Sequence, residues 1–207
     1  MSVKITLTDW ILMRGVTMRH KVYTREHILK AAYEVIAKDG FTNFTARNVA
    51  KKMGVSTQPI YLEFKNMQDL KNTLVETVYE DLKKKVFSVE HTGDKLMDLA
   101  INYIDLSQKS PKLFIALFID NYGGGKLMYD QAYEHFRHTI HDHEEYANLS
   151  EEHLKALHTG IWIAVTGVAA LMSSGVIEPT RQQIITVVQQ TIDSILAIEA
   201  KKQENNE

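Results

Sequence analysis

From Ala156 to Ile177 the chain runs for 22 residues without an Asp, Glu, Lys or Arg. A helix this apolar has two solutions: a membrane span, or burial on more than one face. His158, Thr159, Gly160, Thr166, Gly167, Ser173, Ser174 and Gly175 interrupt it, and no cluster of Lys or Arg flanks either end. Both features argue against a span, so the stretch reads as a buried interface. Gly160 and Ala164, four apart, would let another backbone approach closely. A second stripe follows at Ile184, Val188, Ile192, Ile195 and Leu196. The two segments predict helices over about 150–174 and 180–201. Ser150 ahead of Glu151 and Glu152 suits the positive start of the first; Thr180 with Gln183 forms a capping box for the second.

The rest of the 207 residues reads the same way, as one all-α protein. There is no cysteine, which excludes disulfides and thiolate metal sites and fits a reducing, cytoplasmic compartment. The opening MSVKITLTDW lacks the basic start and unbroken apolar run of a secretory signal. Further helices are expected at about 68–88, 94–107, 111–121 and 126–144.

Charge divides the chain. Residues 1–71 carry 12 Lys and Arg against 6 Asp and Glu, whereas residues 72–207 carry 12 against 20. A basic N-terminal part suggests a polyanionic partner. Within it, Thr24 caps a helix with apolar residues at Ile28, Ala31, Ala32, Val35 and Ile36, which Gly40 ends. Thr45 opens a second, Ala46–Met53. After Gly54, Ser56 is expected to cap a third, Thr57–Phe64, with Pro59 in its first turn, where no intrahelical bond is lost.

Two short helices across a tight glycine turn have the layout of a helix-turn-helix. Ile60 and Phe64 face inward with Val49 and Val55, and Thr57, Gln58 and Tyr61 are left outward. In such a motif the first residues of the second helix meet base edges. Gln pairs with adenine, Thr contacts a thymine methyl, and a Tyr hydroxyl bonds phosphate.

The run TARNVAKKMGVS at 45–56, followed by Ile60, Tyr61, Phe64 and Leu70, resembles the DNA-binding domain of the tetracycline-repressor (TetR) family over residues 24–72. SPKLFIALF at 110–118 resembles its proline-started sixth helix. The resemblance implies an all-α homodimeric transcription regulator, usually a repressor that leaves a palindromic operator when a small effector binds. It implies three parts: an extension or arm at 1–20, a helix-turn-helix domain at 21–71, and an effector-binding and dimerisation domain at 72–203. Helices 150–174 and 180–201 would form a four-helix bundle with those of a second copy.

By the family pattern Thr45 bonds phosphate, Tyr61 lies along the DNA backbone, and Thr57 and Gln58 face bases. Arg47 and Ser56 complete the expected contact set. The family commonly has a phosphate-binding lysine where Met67 stands, so Lys65 or Lys71 would have to substitute. Arg19, His20, Lys21 and Arg25 form a basic arm, or else Met18 is the natural start and residues 1–17 extend the reading frame upstream.

Tyr103, Phe114, Phe118, Tyr122 and Trp162 are the expected effector contacts, with Tyr129, Tyr133 and Phe136 adding aromatic surface of the kind that lines small-molecule pockets. His135, His138, His141 and His143 stand beside Asp142, Glu144 and Glu145. They read first as a solvated helix end and second as the sensor of a metal-responsive regulator. No metal site or cofactor is assigned, and no membrane partner. A helical metal-binding enzyme is a third class, but no Glu-x-x-His pair of the di-iron bundle type occurs. NYGGGK at 121–126 lacks the Ser/Thr and preceding strand of a phosphate loop. Control by a protein partner remains open beside control by a small molecule.

Overall fold

The computed structural model describes residues 23–120, 124–141, 143, 146 and 149–204. Nine α-helices and no strand occur among them. They are α1 (Arg25–Asp39), α2 (Ala46–Met53), α3 (Gln58–Glu63), α4 (Met67–Lys85), α5 (Lys95–Lys109), α6 (Pro111–Phe114), α7 (Gly125–Ile140), α8 (Glu151–Ser173) and α9 (Arg181–Glu204).

Local chemistry sets most boundaries. Thr24 Oγ1 accepts from the His27 amide, Thr45 Oγ1 from Asn48, Asn66 Oδ1 from Asp69, and Ser150 Oγ from His153. Each satisfies an amide that a helix start leaves bare. Thr180 and Gln183 form the reciprocal box, at 2.8 and 3.3 Å. α2 ends at Gly54, whose left-handed backbone (φ 71°, ψ 34°) lets the Val55 amide bond Ala50 O at 3.0 Å. That closure needs a residue without a Cβ penalty.

Two elements differ from expectation. α3 begins one residue late, after Thr57, and neither Ser56 nor Thr57 gives it a side-chain cap. Thr57 is itself helical (φ −75°, ψ −12°), so its hydroxyl is not set to bond the first-turn amides. α6 is a single turn that widens into a π-type segment, Ile115–Ile119, where Asp120 N bonds Ile115 O.

α1 and α2 pack together, and Val49, Ile60, Phe64 and Leu70 converge under α3 with at most 2% exposure. α4 packs on α1 and on α7. The domain division expected at residue 71 falls inside α4. α8 lies along α5 and α9. Leu157, Ile161, Val165 and Ala169 form its buried seam, and Ile184, Val188 and Ile192 that of α9. The close approach at Gly160 is met within the chain: a Cβ there would stand 2.3 Å from Ile195 Cδ1. α8 is long and apolar enough to cross a membrane, yet its apolar residues divide between this seam and an outer face with Ile163 and Leu171 exposed. Val187 and Ile198 of α9 are exposed as well.

Ile60 is fully buried at the junction of α1, α3 and α4. Ile60→Ala should lower unfolding free energy by about 2–5 kcal/mol, read by urea denaturation followed by circular dichroism. A loss below about 0.5 kcal/mol, typical of surface positions, would contradict that packing.

Candidate DNA interface and effector chamber

The helix-turn-helix presents one polar face. Thr45, Arg47, Ser56, Gln58, Tyr61 and Lys65 are exposed and Thr57 is half-buried. Tyr61 keeps 53% of its surface, although Ile60 beside it keeps none. Six residues of helix divide Ile60, on the core side, from Gln58 and Tyr61, on the water side. The seven expected contacts belong to α2, to α3 or to the residues flanking them, with Lys65 just beyond the end of α3. Leu62, 76% exposed on the same short helix, was not among them.

Two further basic residues weighed for DNA contact are engaged within the chain. Arg25 is not part of a free arm: its guanidinium donates to Glu63 O (2.9 Å) and Thr73 Oγ1 (3.0 Å) and lies 4.2 Å from the Phe64 ring centre. It fastens the end of α3 to the starts of α1 and α4. Arg19, His20 and Lys21 lie outside the described residues. Lys71 Nζ lies 5.2 Å from the Phe41 ring centre. Burial lowers its pKa against the opposing pull of Asp120. Lys65 remains exposed, its amide bonded to Asp69 Oδ2.

The second site is a narrow apolar chamber of about 50 Å³ between α4, α5, α7 and α8. Tyr103 stands at its centre, with ring centres of Phe114, Phe118 and Trp162 at 5.0, 5.1 and 5.3 Å. Phe118, Tyr103 and Trp162 line the space, while Phe114 supports Tyr103 and Phe118 from behind. Tyr122 lies outside the described residues. The hydroxyls are largely spoken for: Tyr103 is hydrogen-bonded with Thr166 (3.0 Å), Tyr129 with Thr159 (2.7 Å), and Tyr133 donates to Glu151 (2.8 Å). The residues missed were Tyr79 of α4, Phe87 beyond it, and His158 of α8. Tyr79 and Phe87 carried no local signal. His158 did, as the one titratable side chain within the uncharged run.

Residues 28–73 match the family model described as bacterial regulatory proteins, tetR family. Over these residues the chain is similar to the DNA-binding module of the TetR family. A fatty acid metabolism regulator protein of Bacillus subtilis (strain 168) is 35% identical over 81 residues, a match covering 35% of this chain and 42% of that protein. The chain thus spans less than half the length of that relative. Among solved structures, the fatty acid degradation regulator FadR of Bacillus halodurans superposes with a TM-score of 0.55 at 16% identity, covering 87% of this chain and 97% of its own. SmeT, the repressor of a Stenotrophomonas maltophilia multidrug efflux pump, gives 0.52 at 19%, covering 84% and 89%. At these identities the structures establish a shared fold.

The histidines of this chain do not act as one patch. His135 turns inward against Tyr79 and Phe87, its Nδ1 3.4 Å from the Tyr79 hydroxyl. His138 and His141 are exposed, and His143 lies against Tyr146. Asp142, Glu144 and Glu145 lie outside the described residues. Among the described residues no three His, Cys, Asp or Glu side chains converge to hold a metal ion.

Burial lowers both His135 and His158 from the usual 6.5 to about 4, and Lys83 and His138 add repulsion at His135. Between those values the unfolded chain binds more protons than the folded one. Their stabilising effect is therefore complete above about pH 6.5 and lost as the pH falls towards 4. The urea midpoint should fall between pH 7.5 and pH 5.0, and less steeply in a His135→Asn/His158→Asn double variant. Equal slopes in the two proteins would mean that neither ring is buried.

Proposed function

We propose that this chain is a cytoplasmic transcriptional regulator, a homodimeric repressor that binds a palindromic operator and leaves it when a small molecule enters the chamber. It acts by binding rather than catalysis. The observation that carries the reading is the polar face of α2 and α3, raised on a buried core and matched by the family model. Gln58 and Thr57 are assigned to base edges, Tyr61, Thr45 and Lys65 to phosphates, and Arg47 and Ser56 to the rim of the groove. The exposed apolar residues of α8 and α9 favour a second copy packing there. The partner then supplies a second α3 for the next major groove, roughly 34–36 Å away.

The chamber supports an induced release. Its volume is far below the roughly 300–1,000 Å³ of ordinary small-molecule pockets, so an effector must spread the walls as it enters. One wall is Tyr79, on the same helix whose Thr73 is tied through Arg25 to α3. Displacing α4 therefore carries α3 with it. An effector shifts the balance only if it binds the spread form more tightly. The hydrocarbon lining suits an apolar effector, in keeping with the fatty acid regulators among the similar proteins.

Selection of bound duplexes from a random library should return an inverted repeat, and the same protein should run as a dimer. Recovery of no sequence preference would overturn the operator reading. On the selected site, Gln58→Ala should lose about 1–3 kcal/mol of discrimination at one base position in each half-site. Tyr61→Phe should weaken all sequences alike. Competition assays across single-base variants separate the two, and equal loss at every base for Gln58→Ala would remove its reading role.

A further inference from the structure

The chamber wall is almost entirely hydrocarbon, with Leu96, Leu99, Ala100, Ile161 and Val165 facing the aromatic rings. Against that background the polar atoms can be followed one at a time. The Tyr103 hydroxyl is held by Thr166, and the Tyr79 hydroxyl faces His135. His158 is different. It is only 5% exposed, it lines the chamber, and its buried Nδ1 has no hydrogen-bond partner among the described residues. A buried polar atom left in this state is costly.

The ring is also fixed. Tyr129, Tyr133, Phe136 and Trp162 surround it with centroid separations of 4.9, 5.2, 5.2 and 5.7 Å. Packed on those sides, it does not swing out to find water. None of the lining residues is Asp, Glu, Lys or Arg, so a carboxylate or phosphate entering the chamber would lose its hydration without gaining a counter-ion. The imidazole does not supply one, because burial keeps it neutral at pH 7. A neutral imidazole still offers one N–H donor and one acceptor nitrogen.

We propose that His158 is the polar anchor of the effector chamber, and that the chamber takes an apolar molecule bearing one uncharged hydrogen-bonding group, such as a hydroxyl, ester or amide. This rests on the chamber being the effector site. It goes further by naming the residue that selects the head group and the charge state it selects. The hydrocarbon body of the ligand packs along the chamber while its polar group bonds the imidazole, replacing an unsatisfied atom with a made bond. A group lacking that atom forfeits the bond, and a charged group adds a desolvation cost.

Trp162 lines the chamber, so its emission reports occupancy in a Trp10→Phe background. The probes are pyrene as a pure hydrocarbon, and 1-dodecanol, methyl dodecanoate and dodecanoate at matched chain length, titrated below their critical concentrations at pH 7.5. Dodecanol and the methyl ester should bind at least tenfold more tightly than dodecanoate. His158→Phe should weaken both neutral ligands about tenfold and leave pyrene unchanged; His158→Gln should restore part of the loss. Dodecanoate binding as tightly as dodecanol overturns the proposal, as does His158→Phe that binds dodecanol unaltered. Should His158→Phe not fold, the comparison on the parent protein and on His158→Gln decides alone. Failure of every probe, pyrene included, would instead remove the chamber itself as an effector site.

Discussion

One helix, α4, belongs to both ends of the molecule. It starts from the Asn66 cap two residues beyond the Phe64 hub, runs unbroken for 19 residues, and reaches the chamber at Tyr79. A helix is stiff over this length because each turn is bonded to the next. Its two ends therefore cannot be repositioned independently without breaking those bonds. α4 packs on α1 and on α7. The proposed coupling between chamber and DNA face rests on the stiffness of this one helix.

Packing in the two halves obeys different demands. The N-terminal helices are short, and they hold their places through caps, a glycine turn and a small set of fully buried residues. The C-terminal helices are long and apolar, and they divide their hydrocarbon between an inner seam and an outer face. Gly160 belongs to the inner arrangement, since it admits Ile195 and brings α8 and α9 into close register. The outer face, with Ile163, Leu171, Val187 and Ile198, has no covering element among the described residues.

The features visible in the sequence were those decided within a few residues. Thr24, Thr45, Ser150 and the Thr180/Gln183 box each bond an amide two or three positions away, and the apolar spacing of α1, α8 and α9 follows from helix geometry. The start of α3 was misplaced because the Schellman closure at Gly54 sets the path of the next two residues and leaves Ser56 out of line. Long-range partners left no local trace. Arg25 bonds residues 38 and 48 positions away, and a lone arginine before a helix looks the same whether it meets phosphate or carbonyl. In the chamber, aromatic content was legible but the direction of each ring was not, so Phe114 was taken as lining and Tyr79 was passed over.

The Arg25 bonds have a bearing on how the module is made. The first residue of α1 is fastened to the end of α3 and to the second turn of α4, so these contacts close a loop of nearly fifty residues. During synthesis none of the three anchoring elements can be secured this way until Thr73 has emerged. Contacts between residues far apart in the chain form after local ones. The helix-turn-helix unit is therefore fully fastened only once the second turn of α4 is in place.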